Sequence, residues 1–205
     1  MKTPEAVVFD LGKVLVDFDY GISAAKIAPL SRFTPQQIRG LLDHSPLLYR
    51  FETGLLTNEQ FYTEVCAACG FSGTMDDFSA CFADIFSEIP AMTTMQSALR
   101  AHGVPTYIFS NTNGIAVPHI RKNFPFFANF NGYVYSYEHK AMKPTAAIYE
   151  VVEKMTNCKG DQIVYLDDRL ENYEAGRDRG WQAIFHKTPE ESIPVLRRMG
   201  LPVDD

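Results

Sequence analysis

The run Val7-Val8-Phe9-Asp10-Leu11-Gly12 constrains this chain most. Three apolar residues, β-branched and aromatic, end abruptly in an aspartate, and a glycine follows two positions later. So short an apolar run suits a strand buried on both faces, as in the parallel sheet of an α/β protein. Asp10 then stands at the strand's carboxyl end, where open α/β sheets bind their ligands. Gly12 permits a tight turn whose amides suit an anion. Taken alone, the stretch is equally a strand and turn with a surface acid.

The texture changes after Leu15-Val16. From Tyr20 to Glu88 the apolar spacing is helical, with no convincing strand. Thr34-Pro35-Gln36-Gln37 and Thr57-Asn58-Glu59-Gln60 are capping boxes that open helices. Asp76-Asp77-Phe78 begins a further helix. Residues 18–88 are therefore expected to form an α-helical bundle inserted after the first strand. From Pro90 onward strands alternate with helices. Strands are expected at 105–109, 132–136, 162–166 and 181–185, and a third capping box at Thr188 opens a C-terminal helix. That alternation implies a parallel sheet with right-handed crossovers. The expected architecture is α/β: a Rossmann-like core from residues 1–17 and 89–205, with the helical bundle of 18–88 inserted in it.

In a parallel sheet all strand carboxyl ends lie on one edge. That edge would collect Asp10 and Gly12, Ser110 and Asn111, Asp167 and Asp168, with Lys143 nearby. Close carboxylates need protons or a metal. Asp10 with Asp168 and backbone carbonyls offers the hard oxygens that Mg²⁺ takes together with phosphate oxygens. Ser110 and Lys143 add a hydroxyl and a positive charge for phosphate, and Asp10 can serve as a covalent nucleophile. Each residue also has a plainer role. Asp167-Asp168 can cap a helix, Ser110 can cap another, and Lys143 can be a solvated loop lysine.

Composition narrows the partners. A net charge of −6 argues against nucleic acid or an anionic membrane as the main partner, but not against a small phosphorylated substrate. No apolar run approaches the roughly 20 residues of a membrane span. The N-terminus enters a strand almost at once, and the four cysteines show no second pair for Cys66-x-x-Cys69. A cytoplasmic protein with reduced thiols is expected, as a monomer or homodimer.

In their order along the chain, Val7-Val8-Phe9-Asp10, Phe109-Ser110-Asn111, Lys143-Pro144 and Leu166-Asp167-Asp168 with Asn172 resemble the four signature elements of the haloacid dehalogenase superfamily. The likeness covers nearly the whole chain, and the helical insert sits where that family carries a cap. The run Phe-Asp-Leu-Gly-x-Val, with Ser-Asn-Thr-Asn later, is most similar to a sugar-phosphate phosphatase branch that includes glucose-1-phosphate phosphatases. The resemblance implies Mg²⁺ and phosphoryl transfer through Asp10. It implies metal ligation by Asp10, Asp168 and the backbone carbonyl of Gly12, phosphate contacts from Ser110, Asn111 and Lys143, and supporting roles for Asp167 and Asn172. Gly12 departs from the pattern. Most phosphatases of the superfamily place a second aspartate there as general acid and base, a contribution of about 10²–10⁴-fold. Substrate assistance, water or a residue of the insert would have to substitute. Tyr20, His44, Tyr49, Arg50 and Glu52 are the insert's candidates for gripping a substrate, and all five equally suit ordinary core and surface positions. Two alternatives to a phosphatase remain. One is a non-catalytic phosphate-binding regulator that lost turnover with Gly12. The other is a metal-free 2-haloacid dehalogenase, against which the Asp167-Asp168 pair argues.

Overall fold

The computed structural model describes residues 4–203, so the first three and last two positions of the expected core lie outside the described residues. β1 (Ala6–Phe9) is fully buried. Val7 and Phe9 join one hydrophobic cluster, Ala6 and Val8 another, because successive side chains point to opposite faces. The chain then turns into β2 (Val16–Phe18) and enters five helices. These are α1 (Tyr20–Ile27), α2 (Pro35–Leu42), α3 (Pro46–Glu52), α4 (Asn58–Cys69) and α5 (Met75–Ala83). It returns through β3 (Phe86–Glu88), which pairs antiparallel with β2, Phe18 opposite Phe86. The helical insert is thus tied to the core by a two-stranded ribbon that the sequence did not betray. Three-residue strands are too short to display alternation, and Phe86 continues the apolar spacing of α5.

The insert has its own core. Phe51, Phe61, Phe78 and Phe82 are buried together, with the rings of Phe51 and Phe61 stacked at 4.1 Å. The expected capping boxes at Thr34/Gln37 and Thr57/Gln60 form. α5 starts one residue earlier than expected, at Met75, behind a box between Thr74 and Asp77. α3 escaped notice because its signal is only Ser45, whose Oγ accepts from the Leu48 N–H at 3.0 Å, followed by Pro46.

After β3 the chain alternates through α6 (Pro90–Ala101), β4 (Thr106–Ser110), α7 (Ala116–Asn123), β5 (Gly132–Tyr135), the short α8 (Ser136–His139), α9 (Ala146–Thr156), β6 (Ile163–Asp167), α10 (Leu170–Asp178), β7 (Gln182–Phe185) and α11 (Pro189–Arg198). Thr188 caps α11 through the Glu191 N–H alone, without the reciprocal bond of a full box. The five core strands form one parallel sheet in the order β5-β4-β1-β6-β7. This is the expected Rossmann-like α/β core. From β1 the chain builds outward through β4 and β5, then crosses back to β6 and β7. The switch point therefore opens at the carboxyl end of β1, where Asp10 stands.

Candidate active site

Asp10 follows β1 and continues its ladder, the backbone N–H donating to the Leu166 carbonyl at 2.9 Å. The β1–β6 register pairs Val8 with Tyr165, so Asp10 falls level with Asp167. Lys143, on the loop before α9, reaches between them. Its Nζ lies 2.9 Å from Asp10 Oδ1, 2.6 Å from Asp167 Oδ2 and 2.9 Å from the Phe109 carbonyl. An ammonium has three N–H donors, and these three acceptors engage them all. Burial alone would lower the Lys143 pKa, but Asp10 and Asp167 outweigh it and hold the lysine above its ordinary value.

Asp10 Oδ1 also accepts the Leu11 N–H at 2.7 Å. Oδ2 takes part in neither bond. Burial pushes the Asp10 carboxyl up to about 8, against the pull of Lys143, and Asp167 and Asp168 add to the rise. Asp167 is fully buried and saturated. It accepts from Lys143, from the Tyr165 hydroxyl at 2.5 Å, from the Arg169 N–H at 2.9 Å, and from Asn172 Nδ2 at 3.0 Å. Tyr165 was missed from the sequence, although residues two apart on a strand share a face. Asp168 opens onto the cleft, and its pKa is raised by burial and then by Asp167.

Carboxylate oxygens of Asp10, Asp167 and Asp168 all lie within 4.8 Å of one another. Three acids share a single lysine, so negative charge is left over in a poorly solvated place. A hard divalent cation fits that donor set.

Ser110 and Asn111 end β4 on the same cleft. Ser110 is buried, and its hydroxyl makes only a long 3.3 Å contact to the Asn111 carbonyl. The Asn111 carboxamide braces Lys143, accepting its N–H at 2.8 Å and donating to its carbonyl at 3.0 Å. It positions the lysine with its oxygen and one of its two N–H donors, which leaves the second N–H for a ligand in the cleft. Gly12 lines the cleft beside Lys13. A Cβ at position 12 would meet the Phe18 ring at 2.7 Å, so β2 fills the space that a side chain there would need. Lys13 takes φ +61°, and its ammonium pairs with Asp17, binds the Phe18 carbonyl at 2.9 Å and lies over the Phe18 ring.

The cleft has a volume of about 750 Å³. Its far wall belongs to the insert and includes Tyr20, Arg39, Asp43, His44 and Glu52. Tyr49 and Arg50 are not among the lining residues. Tyr49 is exposed, and Arg50 makes a fork with Glu64 at 2.8 and 2.9 Å. Arg169 and Glu171 also line the cleft, and the sequence signalled them only by their nearness to Asp168. Burial pushes the Glu52 carboxyl up to about 8, partly offset by Arg169 and reinforced by Asp10.

A parallel α/β core with acids and a lysine at its switch point, roofed by inserted helices, defines a class of hydrolases. The chain belongs to the haloacid dehalogenase-like hydrolase family, whose model matches residues 4–180. It is similar to a D-ribitol-5-phosphate phosphatase of Bacteroides thetaiotaomicron, 20% identical over 182 residues, covering 86% of this chain and 88% of that protein. It is also similar to a drimenol cyclase of Aspergillus calidoustus, 25% identical over 97% of this chain, though the match spans only 37% of that longer protein. Among solved structures, a haloacid dehalogenase family enzyme of B. thetaiotaomicron, crystallised with magnesium and inorganic phosphate, superposes with a TM-score of 0.79 at 22% identity, covering 90% of this chain and 94% of that one. Among the described residues no helix is long and apolar enough to cross a membrane.

Proposed function

We propose that this hydrolase is a Mg²⁺-dependent phosphatase acting on a small phosphorylated metabolite, a sugar or polyol phosphate. Residues 18–88 serve as its cap over the core. The observation that carries this reading is the state of Asp10. One carboxylate oxygen is anchored by Lys143 and the Leu11 N–H, and the other is left for attack, beside two further acids. Asp10 Oδ2 is the nucleophile toward phosphorus. The Ser110 hydroxyl donates to a phosphoryl oxygen, and Lys143 places its charge beside the same group while orienting Asp10. Asp10, Asp168 and the Gly12 carbonyl would hold Mg²⁺, which supplies positive charge against the phosphoryl oxygens when bound. Asp167 and Asn172 keep Lys143 in place. A 750 Å³ cleft whose far wall carries Tyr20, Arg39, Asp43, His44 and Glu52 suits a ligand rich in hydroxyls. The likeness to a D-ribitol-5-phosphate phosphatase supports that class.

The test is phosphate release from a panel of sugar and polyol phosphates, with and without Mg²⁺, beside Asp10→Asn. Release that needs Mg²⁺ and disappears in the variant supports the proposal. Halide release from 2-haloacids without metal, or phosphate binding with no release from any substrate, overturns it.

A further inference from the structure

Position 12 poses a chemical problem. An alkoxide leaves phosphorus poorly without a proton, and glycine has none to give. The Phe18 ring occupies the space that a side chain at position 12 would need. The acids lining the cleft outside the Asp10, Asp167 and Asp168 cluster are Asp17, Asp19, Asp43, Glu52 and Glu171. Four of them are already committed. Asp17 pairs with Lys13 and accepts the Phe18 N–H at 2.8 Å. Asp19 caps α1 through the Gly21 N–H at 2.7 Å. Asp43 lies 3.3 Å from Arg39 Nε and 3.5 Å from His44 Nε2. Glu171 pairs with Arg169 at 2.5 and 2.8 Å. Among the described residues, no group donates a hydrogen bond to the Glu52 carboxyl.

We propose, resting on the phosphatase reading, that Glu52 is the proton-transfer residue of the reaction and takes the part that the glycine at position 12 cannot play.

Three features place it for that work. First, direction: phosphoryl transfer runs with attacking and leaving oxygens roughly in line. Asp10 attacks from the sheet edge, so the leaving oxygen points away from the core, toward the helices that carry Glu52. Second, rigidity: Glu52 ends α3, and its carbonyl accepts the Ser136 hydroxyl at 2.5 Å. Ser136 Oγ in turn accepts the Thr112 N–H at 2.9 Å, close to Ser110 and Asn111. The next residue, Thr53, contacts Met142 Sδ at 2.8 Å, one residue from Lys143. Gly54 then passes so near the core that a Cβ would lie 2.1 Å from the Tyr137 carbonyl oxygen, and its φ is +72°. This part of the insert is therefore clamped to the core beside the nucleophile. Third, environment: the carboxyl lines the same cleft as Asp10, Tyr20 and Arg169, and the Arg169 guanidinium is already paired with Glu171.

The step balances. Asp10 Oδ2 forms a bond to phosphorus as the bond from phosphorus to the substrate oxygen breaks, and that oxygen takes the Glu52 proton and leaves as an alcohol. Water then enters from the same side. Its oxygen bonds to phosphorus, its proton goes to the Glu52 carboxylate, and the bond to Asp10 breaks. Phosphate leaves, and both carboxyl groups return to their starting states.

The experiment compares wild type with Glu52→Gln and Glu52→Asp in Mg²⁺, on two probes. One is the sugar phosphate turned over fastest in the panel. The other is p-nitrophenyl phosphate, whose leaving group needs no proton. Glu52→Gln is expected to lower kcat on the sugar phosphate by about 10²–10⁴-fold. It is expected to leave the first-turnover burst of p-nitrophenolate within a few-fold of wild type and to slow the turnovers that follow, with Glu52→Asp recovering part of the rate. An unchanged thermal midpoint guards against misfolding. Wild-type rates in Glu52→Gln on the sugar phosphate overturn the proposal, as does an equal loss on both probes that includes the burst. If wild type itself releases no phosphate from either probe, the phosphatase reading falls and takes this proposal with it.

Discussion

The two walls of the cleft are built on opposite plans. On the core side, Lys143 has every N–H engaged, and Asp167 accepts from Lys143, Tyr165, Asn172 and the Arg169 backbone. Asn111 braces the Lys143 backbone from both directions. On the insert side, the Glu52 carboxyl has no donor among the described residues, and the His44 side chain is 83% exposed. A group whose hydrogen bonds are all made within the protein is held in one geometry before any ligand arrives, which is what the reacting centre requires. A group with bonds still unmade is free to recognise or to exchange a proton. On the phosphatase proposal, the floor is therefore the place for chemistry on a phosphoryl group common to many substrates. The roof is the place for what differs between them.

Asp10→Asn should have the largest effect. It removes the proposed nucleophile but keeps the shape and the 2.9 Å contact to Lys143, which remains paired with Asp167. Turnover should fall by on the order of 10⁴-fold or more with little change in unfolding midpoint. A variant that still turns over would make the two walls equal partners. Asp167→Ala comes next, and its effect is on stability. It leaves the buried Lys143 short of its closest carboxylate and removes the acceptor shared by Tyr165 and Asn172. Breaking a buried pair in this way costs about 3–5 kcal/mol, read from urea unfolding. A loss under about 1 kcal/mol would mean that the floor is not held by that network.

Much of the floor was legible in the sequence because topology does the collecting. Once 7–9, 105–109 and 162–166 are taken as parallel strands, Asp10, Ser110 and Asp168 must reach one edge. The structure does bring them together with Lys143, Asn111 and Asn172. What stayed hidden depends on contacts between distant segments. No spacing reveals that Phe18 closes the side of Gly12, that Asn111 grips the Lys143 backbone, or that Ser136 pins the end of α3. The insert's wall was hardest to read, since helical periodicity reports which face is packed inward and is silent about which polar residues meet across a cleft. Of the five insert candidates, Tyr20, His44 and Glu52 line it, while Tyr49 and Arg50 turn to other surroundings.

Ion pairs away from the cleft sharpen the contrast between core and insert. In the core, Glu153 makes a fork with Arg179 at 2.9 and 2.7 Å and accepts from Trp181 Nε1 at 3.2 Å. The hydrogen bond from Arg179 holds the Glu153 carboxyl below its ordinary 4.5 despite burial. A carboxyl depressed in the folded state adds stability above its unfolded pKa and loses it as pH falls through the folded value. Glu153→Gln should cost about 2 kcal/mol at pH 7, and the difference from wild type should shrink below about pH 4. A difference that persists at pH 3 would assign the effect to packing against Trp181 rather than to charge.

The smallest effect belongs to the insert's own surface. Lys26 Nζ lies 2.6 Å from Asp84 Oδ2 and 2.8 Å from the Asp84 carbonyl, but the two side chains are 36% and 65% exposed. The hydrogen bond from Lys26 holds the Asp84 carboxyl below its ordinary 3.8, so this contribution too is present above that value and lost as pH falls through the folded one. Water screens the pair, and salt screens it further. Asp84→Asn should therefore cost less than about 1 kcal/mol in dilute buffer and nothing measurable in about 1 M salt. The buried rings of Phe51, Phe61, Phe78 and Phe82 should instead hold the insert together, since removing one such ring costs about 3–5 kcal/mol. If Asp84→Asn destabilised the protein by as much as Phe61→Ala, the insert would be held by its surface charges. Its clamp on Glu52 would then weaken with salt.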